Sequence, residues 1–161
     1  MKRITALLLL LASLSCLADG KITMFITLTP AGSFQAVSTK PKGNLIKQGG
    51  VFTSDKISVS VESFKTSIDL RDEHLWKHMN SSKHPKAVLT NLKAQGGKGT
   101  ATLEVNGVKK PVALAYTEKG SEVMAKFKVK ASDFALPKAE YLGVGVSNDV
   151  AVEVTLPYKA R

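Results

Sequence analysis

From Ile22 onward, apolar residues recur at every second position, the period of a strand with one dry face and one wet face. Ile22, Met24, Ile26 and Leu28 alternate with Thr23, Thr27 and Thr29, and Ile57, Val59 and Val61 alternate with Lys56, Ser58, Ser60 and Glu62. Leu103 and Val105 alternate with Thr102 and Glu104. The sharpest case sets Val123, Ala125, Phe127 and Val129 against Glu122, Lys126, Lys128 and Lys130, and Val150, Val152, Val154 and Leu156 repeat it near the end. Weaker strands fit residues 33–39, 43–52, 86–94 and 112–117. Asn106-Gly107 can supply the paired positive φ angles of a tight hairpin, and Lys119-Gly120 and Gly96-Gly97 can turn similarly, so consecutive strands are expected to be antiparallel neighbours. About eight strands with one apolar face each must stack as two sheets or close into a barrel. The expected fold class is all-β, an extended antiparallel eight-stranded barrel. Its interior would have room for its own side chains or for one slender ligand.

Two passages break the alternation. Between Asp69 and about Met79 the apolar residues Leu75, Trp76 and Met79 take helical spacing, with Asp69 expected as N-cap and Asp72 and Glu73 suited to the positive helix start. Pro85 is expected to end the passage. Ser132-Asp133-Phe134-Ala135-Leu136 predicts one short helical turn before Pro137. Both helices are expected to lie at the barrel mouth.

The start of the chain is of another kind. Lys2 and Arg3 precede an apolar run from Ile4 to Leu14 and the small residues Ser15, Cys16 and Ala18, the composition of an export signal. The run is shorter than the roughly 20 apolar residues that span a bilayer. Residues 1–18 are therefore expected to be a signal peptide cleaved near Ala18, and residues 19–161 a single domain that is periplasmic or secreted. Cys16 is the only cysteine, so cleavage there leaves no disulfide and the core alone must hold the fold.

Twenty-three basic residues against 13 acidic ones give a formal charge of +10, about +8 without Lys2 and Arg3. Such a field draws anionic lipid surfaces as well as solvating the outer faces of strands. Nucleic acid is not an expected partner, because no basic motif interleaved with aromatics and no recognition-helix pattern is present.

The helical passage carries the densest chemistry. His74 and His78 lie one turn apart and could join His84 as metal ligands, but no carboxylate-rich shell accompanies them and no metal is expected. Arg71 and His74, at i and i+3, are close enough to hold a phosphate or polar head group at a cavity rim, and an ion pair of Arg71 with Asp69 or Asp72 is the plainer alternative. No Gly-x-Ser-x-Gly elbow and no separated pair of acids suggests catalysis, so no catalytic residue is expected. Asn80-Ser81-Ser82 matches a glycosylation sequon by pattern alone.

Read together, three motifs resemble the YceI-like family of secreted lipid-binding proteins. They are Ser67-Ile68-Asp69-Leu70-Arg71-Asp72-Glu73-His74-Leu75, then Lys83-His84-Pro85-Lys86-Ala87, then the run from Gly99 through Asn106-Gly107 to Pro111-Val112. Ser132-Asp133-Phe134 and the closing strand of residues 150–156 fit the same order. The chain departs from the family's usual Phe-Phe-Asp with His78-Met79-Asn80-Ser81-Ser82, and residues 19–50 resemble it loosely.

The resemblance implies a lipocalin-like barrel that holds a long-chain isoprenoid, quinone or fatty-acid-like molecule and has no enzymatic activity. In that reading Arg71 and His74 select the head, and Phe64, Leu70, Leu75, Trp76, Leu103, Phe127 and Phe134 line the tunnel. No cofactor is expected beyond such a bound isoprenoid or quinone lipid. The alternatives are a structural or stress-related envelope protein with a filled interior, or a quinone- or haem-linked redox accessory; pairing of two barrels as a homodimer is left open.

Overall fold

A computed structural model describes residues 19–161. The expected signal peptide of residues 1–18, with Cys16 and the cleavage point at Ala18, lies outside the described residues.

The alternating segments form β1 (Lys21–Thr29), β2 (Ser33–Ser38), a two-residue β3 (Lys42–Gly43), β4 (Leu45–Gln48) and β5 (Val51–Ser60). After helix α1 (Asp69–His78) come β6 (Lys86–Gln95), β7 (Lys98–Val105), β8 (Val108–Lys119), β9 (Glu122–Lys130), a short β10 (Glu140–Tyr141) and the long β11 (Val144–Ala160). The single strand expected over residues 43–52 is broken instead. Gly49 and Gly50 both take positive φ, +58° and +77°, and fold that stretch into the hairpin between β4 and β5.

All strands belong to one sheet, and it closes. Along it β11, β4, β5, β6, β7, β8 and β9 follow one another, and β9 pairs back onto β11 from Lys130 opposite Asp149 to Glu122 opposite Pro157. The ring thus has seven strands where about eight were expected; β1 pairs with β11, and β2 extends the sheet beyond β1. One contact departs from the antiparallel expectation. β4 runs parallel to the end of β11, with Leu45 opposite Tyr158 and Lys47 opposite Ala160, because β11 is 17 residues long and reaches past β1.

The dry faces point inward as two clusters. One gathers Ile22, Ile26, Ala36, Val59, Phe64 and Val152 near α1, and the other gathers Leu45, Phe52, Ala94, Leu114 and Val123 at the far end, with Phe127 touching both. The lysines of β9, Lys126, Lys128 and Lys130, stay in water on its outer face.

Helix α1 starts at Asp69 as expected, but Asp69 is not its cap. Ile68 occupies that position with no side-chain cap bond. The start is tied one turn further in, where buried Asp72 accepts from the Thr66 N–H at 2.6 Å and the Thr66 hydroxyl at 2.7 Å. Nor does Pro85 end the helix. Asn80 takes φ +58°, and the Ser81 N–H closes back on the Trp76 carbonyl at 3.0 Å. The second helical passage is a short 3₁₀ turn, Ala131–Phe134, followed by Ala135 in the left-handed region.

Candidate functional site

The barrel encloses a cavity of about 1500 Å³. That exceeds the roughly 300–1,000 Å³ of ordinary small-ligand sites, so the interior is not filled by its own side chains. Alternate residues of the strands wall it: Ile22, Met24, Ile26 and Leu28 of β1, and Val150, Val152, Val154 and Leu156 of β11. Each row is the inward half of an alternation visible in the sequence.

The two ends differ. At the far end Phe52 meets Tyr116 and Tyr158 edge-on, with ring centroids 5.3 and 5.1 Å apart, and Lys47 sits above the Phe52 and Tyr158 rings. Lys47 Nζ is held by Glu118 at 2.6 Å, and the Tyr158 hydroxyl donates to the same carboxylate. This aromatic plug leaves the cavity blind there. Its exposed lining residues instead belong to α1, the segment before it, and residues 132–148, which places the mouth at the helix end.

Three mouth segments are held by one chain of hydrogen bonds. Asn80, just after α1, donates to Asn106 Oδ1 at 2.9 Å, and Asn106 donates from Nδ2 to the Phe134 carbonyl at 3.0 Å. Asn106 sits in the β7–β8 hairpin with φ +52°, so its turn role and its bridging role coincide. The Asn80 side chain of the sequon is therefore engaged inside the protein.

Phe64, Leu70, Arg71, His74, Leu75, Leu103, Phe127 and Phe134 all border the cavity. Phe64 and Phe134 are buried, whereas Leu70 is 60% exposed and stands on the lip, not within the tunnel. Trp76 is the correction to the expected lining. It lies outside the cavity, its indole N–H donating to the Phe64 carbonyl at 3.0 Å, with the Lys65 ammonium 4.4 Å above the ring. A half-buried indole needs an acceptor, and the Phe64 carbonyl on the segment before the helix supplies one.

Arg71 is half-buried, with its guanidinium carbon 4.6 Å from the Phe34 ring centroid. It forms no ion pair among the described residues, neither with Asp69 nor with Asp72, the partners of the plainer alternative, and Asp72 faces Lys65 at 3.5 Å instead. Arg71 thus borders the cavity with no carboxylate partner among the described residues. His74 lies beside Tyr141, ring centroids 5.9 Å apart. Arg71 and His74 both reach the rim, each beside its own aromatic.

Burial would raise the Asp72 carboxyl, but the two Thr66 bonds and the Lys65 charge outweigh it and hold the pKa below the ordinary carboxylate value. Burial pushes the His78 imidazole below its ordinary value. The three histidines do not form a metal-ligand group among the described residues. His84 is turned toward Gly107, where an added Cβ would come within 2.6 Å of its ring.

Several lining residues were not expected at the cavity from the sequence. Lys77, His78, Asn80 and Asn106 add polar atoms at the mouth, while Phe34, Phe52 and Tyr116 add aromatic wall. The β1 and β11 rows were legible as strands, and their inward sides follow from that alternation. The hairpin of Tyr141 and Leu142 carries no periodic signal.

The YceI-like domain pattern matches residues 18–158. The chain belongs to the YceI-like family. Among solved structures it is similar to BcnA of Burkholderia cenocepacia, with 14% identity, a TM-score of 0.67, and 84% of this chain and 94% of that one covered. It is also similar to a polyisoprenoid binding domain from Saccharophagus degradans implicated in plant cell wall breakdown, with 16% identity, a TM-score of 0.65, and coverage of 91% and 97%. A mutant CJ YCEI protein follows with 20% identity, a TM-score of 0.56, and coverage of 74% and 82%. At these identities the likeness concerns the fold, and it agrees with the barrel that the YceI-like motifs implied. No curated protein sequence matches the chain.

Proposed function

We propose that this YceI-like protein is an exported carrier that sequesters one long-chain amphiphile, a polyisoprenoid, quinone or fatty-acid-like lipid, inside its barrel. The observation that carries this reading is the unfilled apolar interior of about 1500 Å³, blind at the aromatic plug and open at α1. A structural envelope protein would have no use for such a space. The fold shared with a polyisoprenoid binding domain supports the same ligand class, and the signal-like residues 1–18 support export to the periplasm or beyond.

The mechanism is non-covalent. Each methylene withdrawn from water contributes roughly 0.8 kcal/mol, so a few isoprene units give several kcal/mol after the cost of ordering the chain. The tail lies toward Phe52 and Tyr116, and the head stays at the rim. There Arg71, unpaired among the described residues, and His74 select an anionic or hydrogen-bonding head group. Nothing in this scheme makes or breaks a bond.

The test is uptake of solanesol, a long polyprenol, delivered in detergent micelles and followed by co-elution with the protein on gel filtration. Retention of one molecule per chain is expected. Elution of the protein free of polyprenol, fatty acid and quinone alike would reject the carrier reading.

A further inference from the structure

Among the described residues six large apolar side chains stand in water, and five of them border the cavity mouth: Ile68, Leu70, Tyr141, Leu142 and Val144. Phe25 alone is elsewhere. The five come from two stretches, the start of α1 with the residue before it and the hairpin joining β10 to β11, and the contact of His74 with Tyr141 sets these side by side.

The hairpin tip is built at a cost. Tyr141 pairs with Val144 around the two-residue loop Leu142-Gly143, whose φ angles are +49° and +77°. Two consecutive positive φ angles are the geometry that Asn-Gly or Gly-Gly adopts easily, and a leucine there is conformationally disfavoured. Leu142 is also 85% exposed, so no packing within the chain offsets the strain. The side chain is displayed outward, where it gains nothing unless something apolar meets it.

Charge narrows what that is. The charged residues bordering the cavity are Arg71, Lys77 and Lys138 against Glu140 alone, and Glu140 already faces Lys138 at 3.9 Å. Asp69 and Glu73 also stand exposed on α1, so the apolar lips are ringed by charges of both signs, and the pull toward anionic head groups comes from the chain's surplus of 23 basic over 13 acidic residues; the lips continue toward the β11 wall through Val144, Val146 and Val150. That combination matches an acyl-chain boundary beneath anionic head groups.

We infer that the mouth docks on an anionic lipid bilayer, with Leu142 and Tyr141 entering the acyl boundary, Ile68 and Leu70 beside them, and Arg71, Lys77 and Lys138 against the head groups. The ligand then passes between bilayer and cavity without crossing water. The inference rests on the carrier reading for its purpose but not for its measurement. So few inserted side chains give weak, reversible attachment, as a shuttling carrier requires.

The experiment is flotation of the exported protein with phosphatidylcholine vesicles, with and without phosphatidylglycerol, comparing wild type with Leu142→Asn and Leu142→Asp. Asparagine suits the positive φ, so Leu142→Asn keeps the hairpin and removes only the apolar tip. Wild type should float with the phosphatidylglycerol vesicles, and Leu142→Asn should bind them about tenfold more weakly. Wild type that stays at the bottom of the gradient, or Leu142→Asn that floats equally well, overturns the inference even if solanesol is bound. A dimer that Leu142→Asn breaks, with no flotation by wild type, would overturn it in favour of a second copy covering the mouth. Leu142-dependent flotation by a protein that takes up no lipid would uphold docking and remove the carrier reading.

Discussion

Asp72, one turn into α1, accepts from both the main-chain N–H and the hydroxyl of Thr66, at 2.6 and 2.7 Å, and so fixes the helix that carries Arg71 and His74. Replacing Asp72 by alanine leaves buried Thr66 without these bonds and should lower stability by about 1–3 kcal/mol. Asp72→Asn, which keeps an acceptor oxygen, should cost less. Urea unfolding of the variants measures this, and an alanine variant as stable as wild type would show that the helix start is held otherwise.

Acid should weaken the fold in two stages. His78 has its pKa depressed by burial, so below the ordinary imidazole value of about 6.5 the unfolded chain takes up a proton that the folded chain resists, and stability falls as pH falls. Asp72, also depressed, contributes stability that is present above the ordinary carboxylate range and is lost as pH drops through its folded value. Thermal unfolding followed from neutral pH to pH about 2 should therefore show a falling Tm, with the upper part of the fall absent in His78→Gln. A Tm that rises on acidification contradicts both assignments.

Arg71→Leu should separate head from tail. It keeps the apolar stem and removes the free charge at the rim, so affinity for a phosphorylated polyprenol should fall about tenfold while affinity for solanesol hardly changes. Competition between the two ligands reads the ratio directly. Equal losses for both would mean that Arg71 serves the wall through its contact with Phe34 and has no part in selecting the head.

Ala125, on the inner face of β9, lines the empty interior. Ala125→Trp should fold, since the new ring has space to occupy, and should sharply reduce lipid uptake. In a filled core the same change would cost roughly 1–3 kcal/mol or more. Measuring stability and uptake on one sample decides between the two.

Gly107 has φ +73°, and the His84 ring lies where an added Cβ would be, so a side chain there would have to push the imidazole aside. Gly107→Ala should be destabilised by both the backbone and the contact, by more than about 1 kcal/mol, and Gly107→Ala with His84→Ala should recover part of that loss. An absent recovery in denaturant unfolding would assign the whole effect to the backbone.

How much of this was legible in the chain depends on what each residue answers to. The period of two in Val123 to Val129 and Val150 to Leu156 reports a dry and a wet face directly, so both the strands and the inward rows followed. Where local conformation competes with pattern, reading failed. Gly49-Gly50 splits one apolar stretch into a hairpin, and the parallel pairing of β4 with β11 depends on the length of a strand over a hundred residues later. At the site, helical spacing sets Arg71 and His74 one turn apart on α1, and both border the cavity. Trp76 shares that helix but points to the Phe64 carbonyl, because hydrogen bonding and not hydrophobicity sets the direction of an indole. The Tyr141-Leu142 tip was missed because an exposed apolar turn has no period to betray it.

The central claim is that the barrel holds a lipid. Native mass spectrometry of the protein purified from its own host, followed by solvent extraction, tests it most directly. The carrier reading predicts a stoichiometric adduct that releases a polyprenyl, quinone or fatty-acid mass. A clean apo mass that also fails to take up added polyprenol, quinone or fatty acid would contradict it.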